Sequence, residues 1–304
     1  MADFKKVGIV GIGGLMGHGV AQVTAAAGYQ VLGIESQQSA LDAGVRRIDD
    51  SLSKVVARNV KKGKYDEAAA AAEKAEIMGR ISTSLDIKDA SSCDLVIEAI
   101  PENMDLKLDF YKNLGNIVAS NPECVFASNT SSLQITQMAE ISGRPEKFVG
   151  LHFFNPVQLM KLVEVIRTDH TNDETFDRMI TFGKNIGKAT VSAKDTPGFI
   201  VNRLLVPYLT QAMAMVDRDE ASIEDIDVSM QLGAGHPMGP IHLSDYIGLD
   251  TCHSIIVGWQ KDFPDEAAFI MPECLDAKVK AGDFGRKTGK GFYHWDGEKK
   301  GERA

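Results

Sequence analysis

Apolar runs alternate with amphipathic, charge-bearing stretches through roughly the first two thirds of the chain, and the alternation stops near residue 194. Lys6–Val10 reads as a short strand, Leu15–Ala27 as a helix of small residues closed by Gly28, and Val31–Ile34 as a second strand ending in Glu35. Strand, helix and strand over ~30 residues make a βαβ unit. Residues 39 to 78 are rich in Ala, Lys, Asp and Glu without proline and predict two solvated helices, with Lys61-Lys62-Gly63-Lys64 as a turn. Asp94–Ile100 (DLVIEAI) is apolar almost without a break, as a parallel strand covered on both faces requires. Further strands are expected at Val125–Ser128, Phe148–Phe153, Leu162–Ile166 and Ala189–Ser192, with helices at Asp105–Ala119, Leu133–Ile141 and Asn172–Ile186.

The pattern changes at Lys194-Asp195-Thr196-Pro197-Gly198, which has the turn chemistry of a domain junction. From Phe199 onward only helical patterns are visible, including the apolar stretch Ile200–Val216. The expected architecture is therefore α/β: an N-terminal Rossmann-like doubly wound sheet over residues 1–193, followed by an all-α C-terminal domain over 194–304. A helical domain of ~110 residues has limited core of its own, so the long apolar stretch serves either as a core helix or as a dimer interface.

A 304-residue chain with 44% hydrophobic and 25% charged residues belongs among globular proteins with a real core. A net charge of -9 argues against a nucleic-acid partner, whose binding rests on cationic side chains. It leaves room for an anionic small ligand at a local basic patch. Cys93, Cys124, Cys252 and Cys274 form no CxxC pair, so neither a disulfide framework nor a metal site is expected, and a reducing compartment is the simpler reading. That means cytoplasm, or the mitochondrial matrix should a leader have been removed. No run approaches the ~20 apolar residues of a membrane span.

Gly11-Ile12-Gly13-Gly14-Leu15-Met16-Gly17 lies between the first strand and its helix, where backbone and helix N–H groups can meet a pyrophosphate. The spacing is irregular, because Gly17 arrives one residue late for a GxGxxG, and Gly13, Gly14 and Gly17 are weighted above Gly11. Glu35 closes the second strand 18 residues after Gly17. An acid there accepts hydrogen bonds from ribose hydroxyls and repels a 2′-phosphate, favouring NAD over NADP.

Candidate chemistry gathers further on. Ser128-Asn129-Thr130-Ser131-Ser132 ends a parallel strand, where ligands of doubly wound sheets collect. His152 lies in one apolar strand, Glu164 in the next, and Asn155-Pro156 turns the chain between them. An unpaired carboxylate in such a strand would be costly. If the two strands lie side by side, the imidazole and the carboxylate can meet, giving a base and the group that orients it.

These segments also carry a resemblance. The glycine loop with LMG, VIEAIPEN, FASNTSSLQIT, GLHFFNPVQLMKLVEVI, DTPGFIVNRLL, LGAGHPMGP and FGRKTGKGFY, spread from residue 7 to 293, resemble the L-3-hydroxyacyl-CoA dehydrogenase family in kind and order. The resemblance implies oxidation of a 3-hydroxyacyl-CoA thioester by NAD to the 3-ketoacyl-CoA, and a homodimer. It implies His152 as the base, Glu164 as the residue that holds it, Ser131 on the reacting oxygen and beside the cofactor, and Asn202 in substrate positioning. It implies cofactor contacts from Gly13, Gly14, Leu15, Met16, Gly17, Glu35, Glu102, Lys107, Asn155 and Lys287. Ser51 and Arg58 match positions that touch coenzyme A, although Arg58 stands where relatives usually have lysine. Two alternatives are a related dehydrogenase of free hydroxy acids of the gulonate type, and a relative that keeps the fold without catalysis.

Overall fold

The computed structural model describes residues 4–63 and 66–304; Lys64 of the basic turn, and residues 1–3 of the first predicted domain, lie outside them. The chain divides into two units, Met1–Phe199 and Ile200–Ala304.

The first unit opens with β1 (Lys6–Val10), α1 (Gly17–Ala26) and β2 (Gln30–Ile34). Two long helices follow, α2 (Gln38–Lys61) and α3 (Glu67–Gly79), then β3 (Ile81–Ser84) and β4 (Leu95–Glu98). Next come α4 (Met104–Ile117), β5 (Val125–Ser128), α5 (Ile135–Ile141), β6 (Phe148–Phe153), β7 (Leu162–Arg167), α6 (Asp173–Asn185) and β8 (Ala189–Lys194). Among the described residues the strands form one eight-stranded sheet in the order β3-β2-β1-β4-β5-β6-β7-β8. All neighbours run parallel except β6 and β7. Strand order reverses between β1 and β4, the switch point at which doubly wound sheets bind ligands.

Alternation along the strands decides which face each side chain takes. Val7, Ile9, Leu95, Ile97, Val149, Leu151, Val163 and Val165 join the core under α1, α2 and α6. Val96, Phe126, Phe148 and Ile166 join the opposite core under α4 and α5. The same alternation sends Glu98, His152 and Glu164 to the α4 and α5 face. Side-chain caps fix several helix starts: Asn103 Oδ1 accepts from Leu106 N at 2.9 Å to begin α4, and Asn172 Oδ1 from Thr175 N at 2.7 Å to begin α6.

The second unit holds α7 (Val201–Asp217), α8 (Ile223–Ala234), α9 (Pro240–Ile247), α10 (Leu249–Asp262) and α11 (Glu273–Lys280). Its core is built on Leu209, Met213, Ile223, Ile241, Leu249 and Leu275. It is helical as expected, but not all-α. An antiparallel pair, β9 (Tyr293–Asp296) and β10 (Lys299–Arg303), closes the chain. Buried Asp245 anchors that pair by accepting Phe292 N at 3.0 Å, Tyr293 N at 2.9 Å and Trp295 Nε1 at 3.0 Å. The polar strand β3 is the other element that the hydrophobic pattern did not announce. Among the described residues no helix is long and apolar enough to cross a membrane.

Candidate active site

The glycine loop packs tightly at the switch point. A Cβ at Gly11, Gly13 or Gly17 would sit 2.6, 2.5 and 2.1 Å from the backbone oxygens of Ala99, Ala40 and Gly11 respectively. Gly11 also has φ +84°, a left-handed conformation that side chains rarely adopt. Gly11, given the least weight by the spacing, is therefore the residue that makes the turn. Gly14 has more room, with 3.3 Å to the nearest atom. The late Gly17 is explained by its approach to Gly11, which lets α1 start against the loop.

Beside the loop is a cavity of about 810 Å³ lined by Gly11, Gly13, Gly14, Glu35, Ile100 and Phe110, among others. Glu35 Oε2 accepts from Gly13 N at 3.1 Å and Oε1 from Ser36 N at 2.9 Å, fixing the carboxylate at the cavity wall. Arg47 on α2 donates to Gly13 O, a contact that its sequence position gave no sign of. No described side chain caps α1, and its first turn carries no acid, so its N–H groups suit an anion. The cradle fits a dinucleotide. Leu15 is exposed and Met16 half-buried on the same loop.

β6 and β7 place His152 directly opposite Glu164. His152 Nδ1 and Glu164 Oε2 are 2.7 Å apart, both residues buried, the expected meeting of imidazole and carboxylate. Two rings flank the imidazole, Phe154 at 4.5 Å and Phe199 at 5.6 Å between centroids. Phe199 holds a left-handed φ of 55° at the end of the unit, and no pattern in the sequence marks it as a wall of the histidine.

The loop after β5 is tied to this strand. Asn129 Oδ1 accepts from Phe153 N at 2.9 Å, and Glu102 Oε1 accepts from Ser131 N at 2.8 Å, Ser131 Oγ at 3.2 Å and Thr130 Oγ1 at 2.6 Å. Asp195 receives Ile135 N at 3.0 Å and Thr136 N at 2.7 Å, capping α5 from the far end of the unit. The 155–160 turn, with Asn155 exposed, is held by buried Lys188, which donates to Val157 O and Met160 O. Burial presses the Lys188 ammonium below its usual range. None of these supports has a sequence signal of its own except the Asp195 turn.

Of the residues singled out from sequence, the fold brings together His152 with Glu164, Glu102 with Ser131 and Lys107, and Gly13 with Glu35. Ser51, half-buried, and Arg58, exposed, lie two turns apart on one face of α2. Asn202 and Lys287 belong to the second unit, the first in the opening turn of α7. Lys287 Nζ reaches Asp250 Oδ1 at 2.8 Å and donates to Thr251 Oγ1 at 2.6 Å.

Room for a pyrophosphate and a carboxylate set for a ribose make the first unit a dinucleotide-binding domain. With a buried imidazole–carboxylate pair on the same sheet, they place the chain among the dinucleotide-dependent dehydrogenases. Residues 6–196 match the family model described as 3-hydroxyacyl-CoA dehydrogenase, NAD binding domain, and residues 198–295 match that of its C-terminal domain. The chain is 46% identical over 294 residues to the mitochondrial hydroxyacyl-coenzyme A dehydrogenase of Sus scrofa, covering 96% of this chain and 91% of that one. It is 44% identical over 290 residues to a probable 3-hydroxybutyryl-CoA dehydrogenase of Deinococcus radiodurans, covering 95% and 100%. The crystal structure of (S)-3-hydroxybutyryl-CoA dehydrogenase from Ralstonia eutropha matches with a TM-score of 0.89 and 39% identity, over 97% of this chain and 100% of that one. The chain belongs to the 3-hydroxyacyl-CoA dehydrogenase family.

Proposed function

We propose that this protein oxidises L-3-hydroxyacyl-CoA thioesters to 3-ketoacyl-CoA with NAD, and that His152 and Glu164 carry the proton side of the reaction. The observation that supports this most is the 2.7 Å contact between His152 Nδ1 and Glu164 Oε2. With Nδ1 donating to the carboxylate, the basic lone pair sits on Nε2, which takes the substrate hydroxyl proton. Burial by itself would disfavour the imidazolium that results. The Glu164 charge opposes that penalty and holds the ring in one tautomer, as in other acid–histidine pairs.

NAD, held by the glycine loop and Glu35, supplies the hydride acceptor. Ser131 is assigned to the substrate oxygen, its loop steadied by Glu102. For Asn202, Lys287, Ser51, Arg58 and Asn155 the assignment rests on the family resemblance alone. In the reverse direction protonated His152 returns its proton to the ketone oxygen.

Comparing NADH formation with 3-hydroxybutyryl-CoA, free 3-hydroxybutyrate and L-gulonate tests this reading. Turnover confined to the thioester is expected. Equal or better turnover of a free acid would favour the gulonate-type alternative, and no turnover of any would favour a non-catalytic relative.

We also propose a homodimer formed through the second unit, because α7 and α8 leave Leu204 69%, Val228 50% and Leu232 83% exposed. Light scattering would show a mass of two chains. The four unpaired cysteines suit a reducing compartment, bacterial cytoplasm or mitochondrial matrix.

A further inference from the structure

Glu98, at the end of β4, is fully buried and directly opposite Ser128 of β5. Oε1 accepts from Ile100 N at 2.8 Å and from the Lys107 ammonium; Oε2 accepts from Ser128 Oγ at 2.7 Å and Tyr111 OH at 3.2 Å. Lys107 is 1% exposed, and its ammonium lies between two carboxylates, Glu98 and, at 3.5 Å, Glu102 Oε2. The other oxygen of Glu102 accepts Thr130 Oγ1 and the backbone and hydroxyl of Ser131. Thr130 N in turn donates to Ser128 Oγ at 3.3 Å. Glu98, Lys107, Glu102, Thr130 and Ser128 thus close a ring, with Ser131 attached at Glu102.

We propose that Glu98 is a positioning residue for Ser131, acting through Lys107 on Glu102 and through Ser128 on Thr130. This rests on the role given to Ser131 above. A buried ion pair adds little net stability over an apolar replacement, so fixing a geometry is the better account of its presence. Glu102 is divided between Lys107 on one oxygen and the Ser131 loop on the other. Glu98 shares the ammonium and so limits its pull on Glu102. Without the Glu98 charge the ammonium draws Glu102 inward, and the hydrogen bonds that shape residues 130–132 slacken. Lys107 therefore acts on the reaction from inside the protein, through Glu102. Tyr111 stays protonated throughout, because burial and the Glu98 charge both raise its hydroxyl far above the ordinary tyrosine range.

The test is a double-mutant cycle between Glu98→Gln and Ser131→Ala, read as kcat/KM for 3-hydroxybutyryl-CoA. Glu98→Gln alone should lose ~10- to 100-fold, the scale of a small misplacement of a reacting group. In the Ser131→Ala background the same change should cost less than about twofold, since the residue it positions is gone. Adding Lys107→Met to Glu98→Gln should recover part of the loss by removing the unbalanced pull. Ser128→Ala breaks the other arm and should show the same coupling with a smaller loss; it decides the question if Glu98→Gln does not fold. Additive losses, or a Glu98→Gln enzyme as fast as the parent, overturn the proposal while leaving a costly Ser131→Ala, and with it the role of Ser131, intact. A Ser131→Ala enzyme of undiminished activity would instead retract that role and this proposal together.

Discussion

Glu98 and Glu164 are both fully buried carboxylates on the same face of one sheet, yet they are partnered in opposite ways. Glu164 faces an imidazole, a ring able to take up and release a proton near neutral pH. Glu98 faces an ammonium that is itself held by a second carboxylate and a backbone carbonyl. A carboxylate beside a titrating group can favour one protonation state as a proton moves. A carboxylate locked against an ammonium that has further oxygen partners of its own is placed to hold a geometry. The chemistry of each site is thus set by the partner, not by burial, which the two share.

The comparison breaks most visibly at the imidazole. His152→Gln should lower kcat by ~10²–10⁴-fold, the usual worth of general acid–base help, while NADH affinity by fluorescence titration stays within about twofold. Glu164→Gln should cost less, on the order of 10²-fold, and move the acid limb of the pH–rate profile to lower pH, because the imidazolium loses its counter-charge. An unmoved acid limb would take Glu164 out of the proton transfer.

In stability the order should reverse. Glu98→Gln takes from a buried ammonium its nearer carboxylate and leaves it with Glu102 at 3.5 Å, costing about 3 kcal/mol and lowering Tm by ~6–12 °C. Glu164→Gln, which keeps a hydrogen-bonding partner for a neutral ring, should cost nearer ~1 kcal/mol. Equal Tm losses would mean that the two carboxylates do the same job.

A second imidazole sharpens the contrast with the smallest effect. His242 in the second unit lies near Asp227, but that carboxylate is engaged by Ile241 N at 2.8 Å, His242 N at 3.0 Å and Tyr293 OH at 2.7 Å. Burial, aided by Lys300, lowers the His242 ring below its ordinary value, and Asp227 does not reverse it. A lowered folded value means that its contribution to stability is complete above the unfolded pKa of ~6.5 and is lost as pH falls through the folded one. Thermal unfolding followed from neutral to mildly acidic pH should therefore show a decline that His242→Gln makes shallower. A steeper decline in the variant would show that Asp227 protects the ring after all.

Much of this was legible in the chain. DLVIEAI and FVGLHF declared buried strands by composition alone, and His152 and Glu164 stand at a separation that one antiparallel pairing brings face to face. What escaped notice was polar or long-range. β3, Ile-Ser-Thr-Ser, is an edge strand with too little apolar surface to register, and its neighbour β2 holds it through the backbone. The β9–β10 pair is mostly charged and depends on Asp245, a helix residue far back in sequence, for its anchorage. The Glu98–Lys107 pair spans a strand, a turn and a helix, so no periodicity joins its members. The irregular glycine spacing hid Gly11, whose need for a left-handed turn is a backbone property that side-chain counting cannot see.

The central claim is that His152 and Glu164 act as one unit. Its most direct test is kcat/KM for 3-hydroxybutyryl-CoA in the His152→Gln/Glu164→Gln double variant. A carboxylate whose only catalytic use is to serve the imidazole has nothing left to do once the ring is gone, so the double variant should be about as slow as His152→Gln alone. Losses that multiply, with the double variant slower by the full product of the two single effects, would contradict it.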